Sequence, residues 1–311
     1  MRTIIRKKLQ LFKIVANLID RHANSIKKIQ NKTVNGKTIG RKPLENTVYY
    51  VKKIAYVLST GISWYDFSLF DDDRIGEPAA DTIRKKHNYF INEGIYKKVN
   101  EELMNTYLTN FKGTITDLFI DSTCIPNING VKEMTGYSRK IKGKKSMNNT
   151  IISDNNNIIM AHIYDKSNIH DSKMIEATIK KLPNKFTENA TYNKPYCLTG
   201  DKGYIIDKKR NIEIRKNFHI HVNAQTRKNM KRKKTDKNIE SSKIRYKIEN
   251  VNATIKRTYK RNAAIRDRSQ KSLNAWMSLT STMILSNFLL SKIGEINSDS
   301  NNIREILQGD I

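Results

Sequence analysis

Only two cysteines, Cys124 and Cys197, occur in 311 residues, so no disulfide framework is possible and the chain reads as intracellular. Both fit the ordinary role of a small buried hydrophobe. No secretory signal is visible, because the opening MRTIIRKKLQLFKIV mixes charge into its apolar run too early for an h-region. No G-x4-G-K-[ST] segment exists, which argues against an ATP-driven motor. Long uncharged runs are scarce as well. The one candidate, 272–291, carries Ser, Thr or Asn at nine of its twenty positions. Its Leu273, Trp276, Met277, Met283, Ile284 and Phe288 recur at roughly helical spacing, which predicts a packed core helix rather than a membrane span. A basic amphipathic helix rich in aromatics is also missing, so no membrane partner is expected. No internal repeat is seen.

Acidic residues are few. Asp and Glu number 30 against 58 Lys and Arg, a net charge of +28. A charge that large draws polyanions, with nucleic acid the first candidate and an anionic membrane surface the second. Residues 201–271 hold 23 Lys and Arg against 7 Asp and Glu, more than half of the net charge. The densest part is Arg227-Lys228 and Lys231-Arg232-Lys233-Lys234. Such a run is otherwise a solvated loop or a localisation signal. Here it flanks candidate catalytic carboxylates, and a site that cleaves phosphodiesters must attract a polyanion while keeping acidic metal ligands.

Residues 1–110 read as a helical region. Glu45 to Ser59 sets Val48, Val51, Ile54, Ala55 and Leu58 on one face, and Thr60-Gly61 ends the pattern. From 111 to 293 the pattern is that of an α/β domain with a mixed sheet flanked by helices. TDLFIDSTCI (116–125) predicts a strand. NNTIISD and NIIMAHIYD, joined by Asp154-Asn155-Asn156-Asn157, predict a hairpin. Asp171 and Ser172 offer an N-cap for a helix to Lys181, before Pro183. KPYCLTGDKGY predicts a strand leaving at Gly200-Asp201, and FHIHVN (218–223) a shorter one. A long helix is expected from about Lys243 to Arg261. The tail 294–311 is polar and reads as loose.

Three carboxylates stand out. Asp121 sits late in an apolar run, where an Asp is expensive unless paired or bound to metal; capping a turn with Ser122 and Thr123 is the plainer role. Asp201 sits at a strand end between glycines that let a substrate approach; an ordinary turn aspartate would look the same. Glu249 shares a helix with Arg245 and Lys256, and offsets of four and seven put all three within about 40° on one face; an exposed ion-pair stripe is the alternative. Three carboxylates are the ligand set that two divalent ions need to clamp an in-line displacement at phosphorus. Hard oxygen ligands suit Mg²⁺. His219 and His221 alternate as strand histidines without a useful third ligand. His170 fits a helix-capping role, and Trp64 core packing.

Asp121-Ser122-Thr123, Gly200-Asp201-Lys202-Gly203-Tyr204 and Arg245…Glu249…Lys256, in this order, resemble the DDE transposases of bacterial insertion sequences, families four and five in particular. Gly136-Tyr137…Gly143-Lys144-Lys145, Asn168-Ile169-His170-Asp171 and Gly61-Ile62-Ser63-Trp64-Tyr65-Asp66-Phe67 add to the likeness, which spans about residues 45–292. Ser242 stands where that group usually has Tyr, and Ser68 where Pro is common.

The resemblance implies an RNase H-like fold with a helical N-terminal domain for DNA binding and assembly. It implies two Mg²⁺ or Mn²⁺ ions held by Asp121, Asp201 and Glu249, and cleavage and strand transfer at element ends. Arg245 and Lys256 would contact DNA near the scissile phosphate. Lys202 and the basic run from Arg227 to Lys234 complete the expected DNA surface. Double-stranded DNA is the expected partner and a homodimer on DNA the expected assembly. The place of work would be the bacterial cytoplasm and nucleoid, or else a nucleus or viral factory. Two other functions stay open: an inactive transposase-derived DNA-binding protein, and a metal-dependent nuclease that does not join.

If the basic segment neutralises about 6–10 phosphates, DNA affinity falls about 10³–10⁵-fold between 50 and 200 mM salt. A titration by fluorescence anisotropy checks this, and a flat response would remove the nucleic-acid reading.

Overall fold

In the computed structural model the described residues are 2–30, 46–60, 62, 64, 67, 79–127, 130–138, 141–188, 190–224, 248–253 and 269–292. The chain divides into two compact units. One comprises Met1–Leu103, Arg257–Asn262 and Lys271–Ile311, and the other Met104–Lys256 and Ala263–Gln270.

The first unit is helical. It holds α1 (Arg2–Gln30), α2 (Thr47–Thr60), α3 (Ala80–Asn92), the first half of α4 (Ile95–Phe111) and nearly all of α7 (Gln270–Lys292). Leu11, Phe12, Val15, Ala16, Ile19 and Ala23 of α1 are buried, a stripe at helical spacing that packs against α2. α2 answers with Tyr50, Val51, Ile54, Ala55 and Val57; Val51, Ile54 and Ala55 belong to the face its periodicity predicts, whereas Val48 is only half-buried. Thr47 at the start of α2 donates a hydrogen bond to Asp20. In α7, Leu273, Trp276, Met277, Met283, Leu285 and Leu290 are buried together with Ser278, Thr280, Ser281 and Thr282. A helix buried on several sides explains both its lack of charge and its many small hydroxyls. No helix among the described residues is long and apolar enough to cross a membrane. Trp64 packs edge-on to Phe67 and lies against His87.

The second unit is built on a six-stranded mixed sheet: β1 (Asp117–Pro126), β2 (Gly136–Ser138), β3 (Lys144–Asp154), β4 (Ile159–Lys166), β5 (Tyr196–Gly200) and β6 (Ile220–Ala224). β1 is central, antiparallel to β3 and parallel to β5, and β6 continues parallel beyond β5. β4 and β2 share the outer edge of β3 end to end, β4 along Met147–Ser153 and β2 along Lys144–Ser146. α5 (Asp171–Ile179) lies against β3 and β4, and α6 (Lys208–Phe218) against β6. This is the RNase H-like mixed sheet flanked by helices that the sequence leads one to expect.

The hairpin turn between β3 and β4 falls at residues 155–158. Asn157 takes φ 63° there, a conformation asparagine tolerates. Asp154 organises the turn. Its carboxylate accepts from Asn156 N and Ile158 N, both at 2.9 Å, and from the Tyr107 hydroxyl of α4. Burial nevertheless pushes its carboxyl up to about 6. Two local expectations are corrected. His170, not Asp171, is the N-cap of α5, accepting from Ser172 N through Nδ1. His219 is not a strand residue but the left-handed C-cap of α6, φ 55°, its N–H closing on Arg215 O.

In the first unit, His87 is 5% exposed, and its Nδ1 lies 2.9 Å from the Tyr96 hydroxyl. Burial lowers its pKa to about 4 from an ordinary 6.5. The unfolded chain therefore binds the proton more readily, and stability is lost as pH falls from about 6.5 to 4, by up to about 3 kcal/mol. Urea midpoints measured across that window should fall with pH in the wild type and fall less steeply in His87→Gln.

Candidate active site

The site begins where a strand pairing stops. β1 and β5 run in parallel register from Asp117–Cys197 to Ile120–Gly200, and β5 ends there. Asp121 is the next residue of β1, and Asp201 is the first residue after β5. Two carboxylates therefore emerge side by side at the carboxyl end of a parallel pair, where open α/β sheets gather functional groups. Both are half-buried.

Asp201 caps the short 3₁₀ turn Lys202–Tyr204. Its Oδ1 accepts from Gly203 N at 2.8 Å, and Tyr204 N returns to Asp201 O at 3.1 Å. Gly200 has no room for a side chain: a Cβ would stand 2.9 Å from Tyr204 Cδ2 and 3.0 Å from Ile120 Cγ2. Gly203 is hemmed by carboxylates, with Asp171 Oδ2 and Asp201 Oδ1 each 2.9 Å from where its Cβ would be. Asp171, the first residue of α5, thus joins the site from a third element.

Tyr204 sits fully buried among these acids. Its hydroxyl is 2.6 Å from Ser122 Oγ, which is 2.7 Å from Thr150 Oγ1 on β3. Burial pushes the phenol well above its usual range, and the negative fields of Asp171, Asp121 and Asp201 add to this, while the Ser122 hydrogen bond opposes it. A neutral phenol with a fixed hydroxyl chain holds Ser122, and with it the backbone beside Asp121.

The third expected carboxylate arrives on the helical segment 248–253. Ile248, Val251 and Asn252 are buried, while Glu249 and Asn250 are exposed. Asn252 Nδ2 donates to Asp121 Oδ2 at 2.6 Å, and Asp121 Oδ1 accepts from Ser122 N at 2.9 Å. Among the described residues, the buried Asn252 Oδ1 has no hydrogen-bond partner. Asn252 lies one turn beyond Glu249, so this bond seats the Glu249 helix on the strand of Asp121. Among the described residues, no three His, Cys, Asp or Glu side chains stand close enough together to hold a metal ion.

Lys202 is exposed on the turn beside Asp201. Arg227, Lys228, Lys231, Arg232, Lys233, Lys234, Arg245 and Lys256 lie outside the described residues. Cys124 and Cys197 are half-buried and form no disulfide. Sequence reasoning missed Asn252 and the Ser122–Tyr204 pair, and took Asp171 only for a cap. Asn252 carried a faint signal, standing one helical turn after Glu249.

The family model for the transposase DDE domain matches residues 112–285, more than half of the chain. The chain therefore belongs to the transposase DDE family, and its general function is that of a transposase. Among solved structures it is similar to a piggyBac transposase in a synaptic complex with hairpin DNA. The TM-score is 0.51 at 10% identity, over 98% of this chain and 78% of that one, a likeness of fold. No curated protein matches it.

Because Gly200 is packed between Tyr204 and Ile120, Gly200→Ala should overpack the junction at a cost of about 1–3 kcal/mol. Differential scanning calorimetry should show a clear drop in Tm, and an unchanged Tm would contradict the packing described.

Proposed function

We propose that this transposase cuts the ends of a DNA element and joins them to target DNA, with Asp121, Asp201 and Glu249 as its catalytic carboxylates. The observation that carries the reading is the 2.6 Å bond from Asn252 to Asp121. It brings the helix of Glu249 to the strand of Asp121, whose parallel neighbour delivers Asp201. The oxygen-only donor set, with a buried and unpartnered Asn252 Oδ1 beside it, fits a hard divalent cation. Mg²⁺ or Mn²⁺, two ions in all, would supply activation of the attacking oxygen and neutralisation of the leaving one.

The chain's own residues do the rest. Asp121 and Asp201 are fixed by backbone N–H donors from Ser122 and Gly203, which keeps both carboxylates oriented. Glu249 is exposed and must turn inward from its helix to complete the set. Lys202, beside Asp201, and the basic residues Arg227, Lys228, Lys231, Arg232, Lys233, Lys234, Arg245 and Lys256 would neutralise phosphates around an acidic centre. Duplex DNA is the proposed partner, in line with the DNA-bound piggyBac complex of similar fold. A homodimer assembled on DNA and an intracellular place of action belong to the same proposal.

One observation favours a second reading. Glu249 is exposed while Asp121 and Asp201 are half-buried, an arrangement an inert, DNA-binding relative would also show.

Wild type and Glu249→Gln are each incubated with DNA carrying an element end and with Mg²⁺, then resolved on a denaturing gel. Partners of metal ligands are typically worth 10–100-fold, so losing a ligand should slow cleavage at least about 10²-fold while DNA binding persists. Cleavage without joined products would make the protein a nuclease. Binding without cleavage by either protein would make it the inert relative.

A further inference from the structure

Tyr137 is 72% exposed, far more than Val131, Tyr192 or Ile212, the other large apolar residues at the described surface. It sits on β2, which pairs only with β3, and Tyr137 stands opposite Lys145. The surrounding stretch 131–145 carries six Lys and Arg (Lys132, Arg139, Lys140, Lys142, Lys144, Lys145) against one acid, Glu133. Lys142 and Lys144 are exposed, and no described acidic residue pairs with Lys142, Lys144 or Lys145.

The strand carrying Tyr137 is held firmly. Ser167 Oγ donates to Gly136 O at 3.0 Å and lies 2.8 Å from Ser146 Oγ, and Asn168 fills the space where a Gly136 side chain would go. Gly143 N closes on Ser138 O at 2.9 Å. Lys142 has φ 55°, a left-handed conformation that glycine or asparagine adopts more readily than lysine.

Register places this hairpin relative to the proposed site. Asp121 faces Ile151 on β3, and Lys145 is six residues from Ile151 on the same strand. Side chains alternate, so an even offset returns to the same face, and directly paired residues share a face. Asp121, Ile151, Lys145 and Tyr137 therefore lie on one face of the sheet. Six residues of strand span about 20 Å, or about six base pairs of duplex.

We propose that the β2–β3 hairpin is a second DNA contact, in which Lys142, Lys144 and Lys145 neutralise phosphates and the Tyr137 hydroxyl donates to one. The contact falls about six base pairs from the phosphate cut at Asp121. It rests on the proposed function above, with duplex DNA as its occupant and the sequence left unread, since phosphate contacts carry no base information.

The test uses the full chain and a fluorescent duplex with an element end, titrated between 50 and 200 mM salt. Wild type is compared with the triple variant Lys142→Asn/Lys144→Gln/Lys145→Gln and with Tyr137→Ala. Asparagine accepts the left-handed backbone, and matched thermal melts limit the comparison to folded protein. Each lysine lost should lower the slope of log affinity against log salt by about 0.9, so the triple variant should lose about 2–3 units of slope. Tyr137→Ala should weaken binding with the slope unchanged, because a neutral donor releases no counterion. Hydroxyl-radical protection about six base pairs from the cut should disappear in the triple variant. A triple variant that melts like the wild type and keeps its slope and footprint would overturn this inference alone. A wild type that does not bind DNA would overturn the proposed function, and this inference with it.

Discussion

The end of the β1–β5 pairing at Ile120–Gly200 is the constraint on which the rest of the second unit depends. Parallel strands need long crossovers, so β5 reaches β1 only after β3, β4 and α5 have been laid down. Had β5 run one residue further in register, Asp201 would have been paired against Asp121, and two carboxylates would have been pressed together inside a sheet. Stopping at Gly200 instead turns the chain through Lys202–Tyr204, drops the Tyr204 ring under the junction and leaves both aspartates at the open edge. Gly200 is required because the tyrosine occupies the space its side chain would need.

The electrostatics of the region follow from that geometry. Asp121, Asp171 and Asp201 all act on one buried phenol, and each raises its pKa. Carboxylates gathered so closely repel one another, and neutral donors (Ser122 N, Gly203 N and Asn252 Nδ2) stabilise them without cancelling their charge. That is the state in which a carboxylate remains able to bind a cation. A protonated tyrosine is the right neighbour for them, since a phenolate there would add to the repulsion. The chain as a whole carries a net charge of +28, and because such a field acts at long range, attraction of a polyanion and retention of a few acidic ligands need not conflict.

Much of this was legible in the sequence, for local reasons. β1, β5 and the β3–β4 hairpin announce themselves through short β-rich runs closed by Asp, Asn and Gly, and α5 through the stop before Pro183. α7 was readable because its uncharged face pattern needs no long-range information. α6 was not: KKRNIEIRKNF buries only Ile214, so it carries almost no periodicity, and its stop is a left-handed histidine rather than a glycine. β2 is three residues long and exists only because Gly136 fits against Asn168. At the site, Asp121 and Asp201 could be suspected one by one, but their adjacency is a matter of register. Asn252 offered only its place one turn after Glu249, since its partner is 131 residues away in the chain.

That long-range bond also bears on the position of Glu249. On a helix, residues three apart occupy neighbouring positions, so fixing Asn252 on Asp121 holds the backbone of Glu249 within one turn of that bond. Moving the helix itself would mean breaking a partly buried, charge-assisted bond and exposing Ile248 and Val251, which are buried beside it. The bond thus fixes the helix backbone that carries Glu249, and it does so through an asparagine that adds no charge to the acidic site.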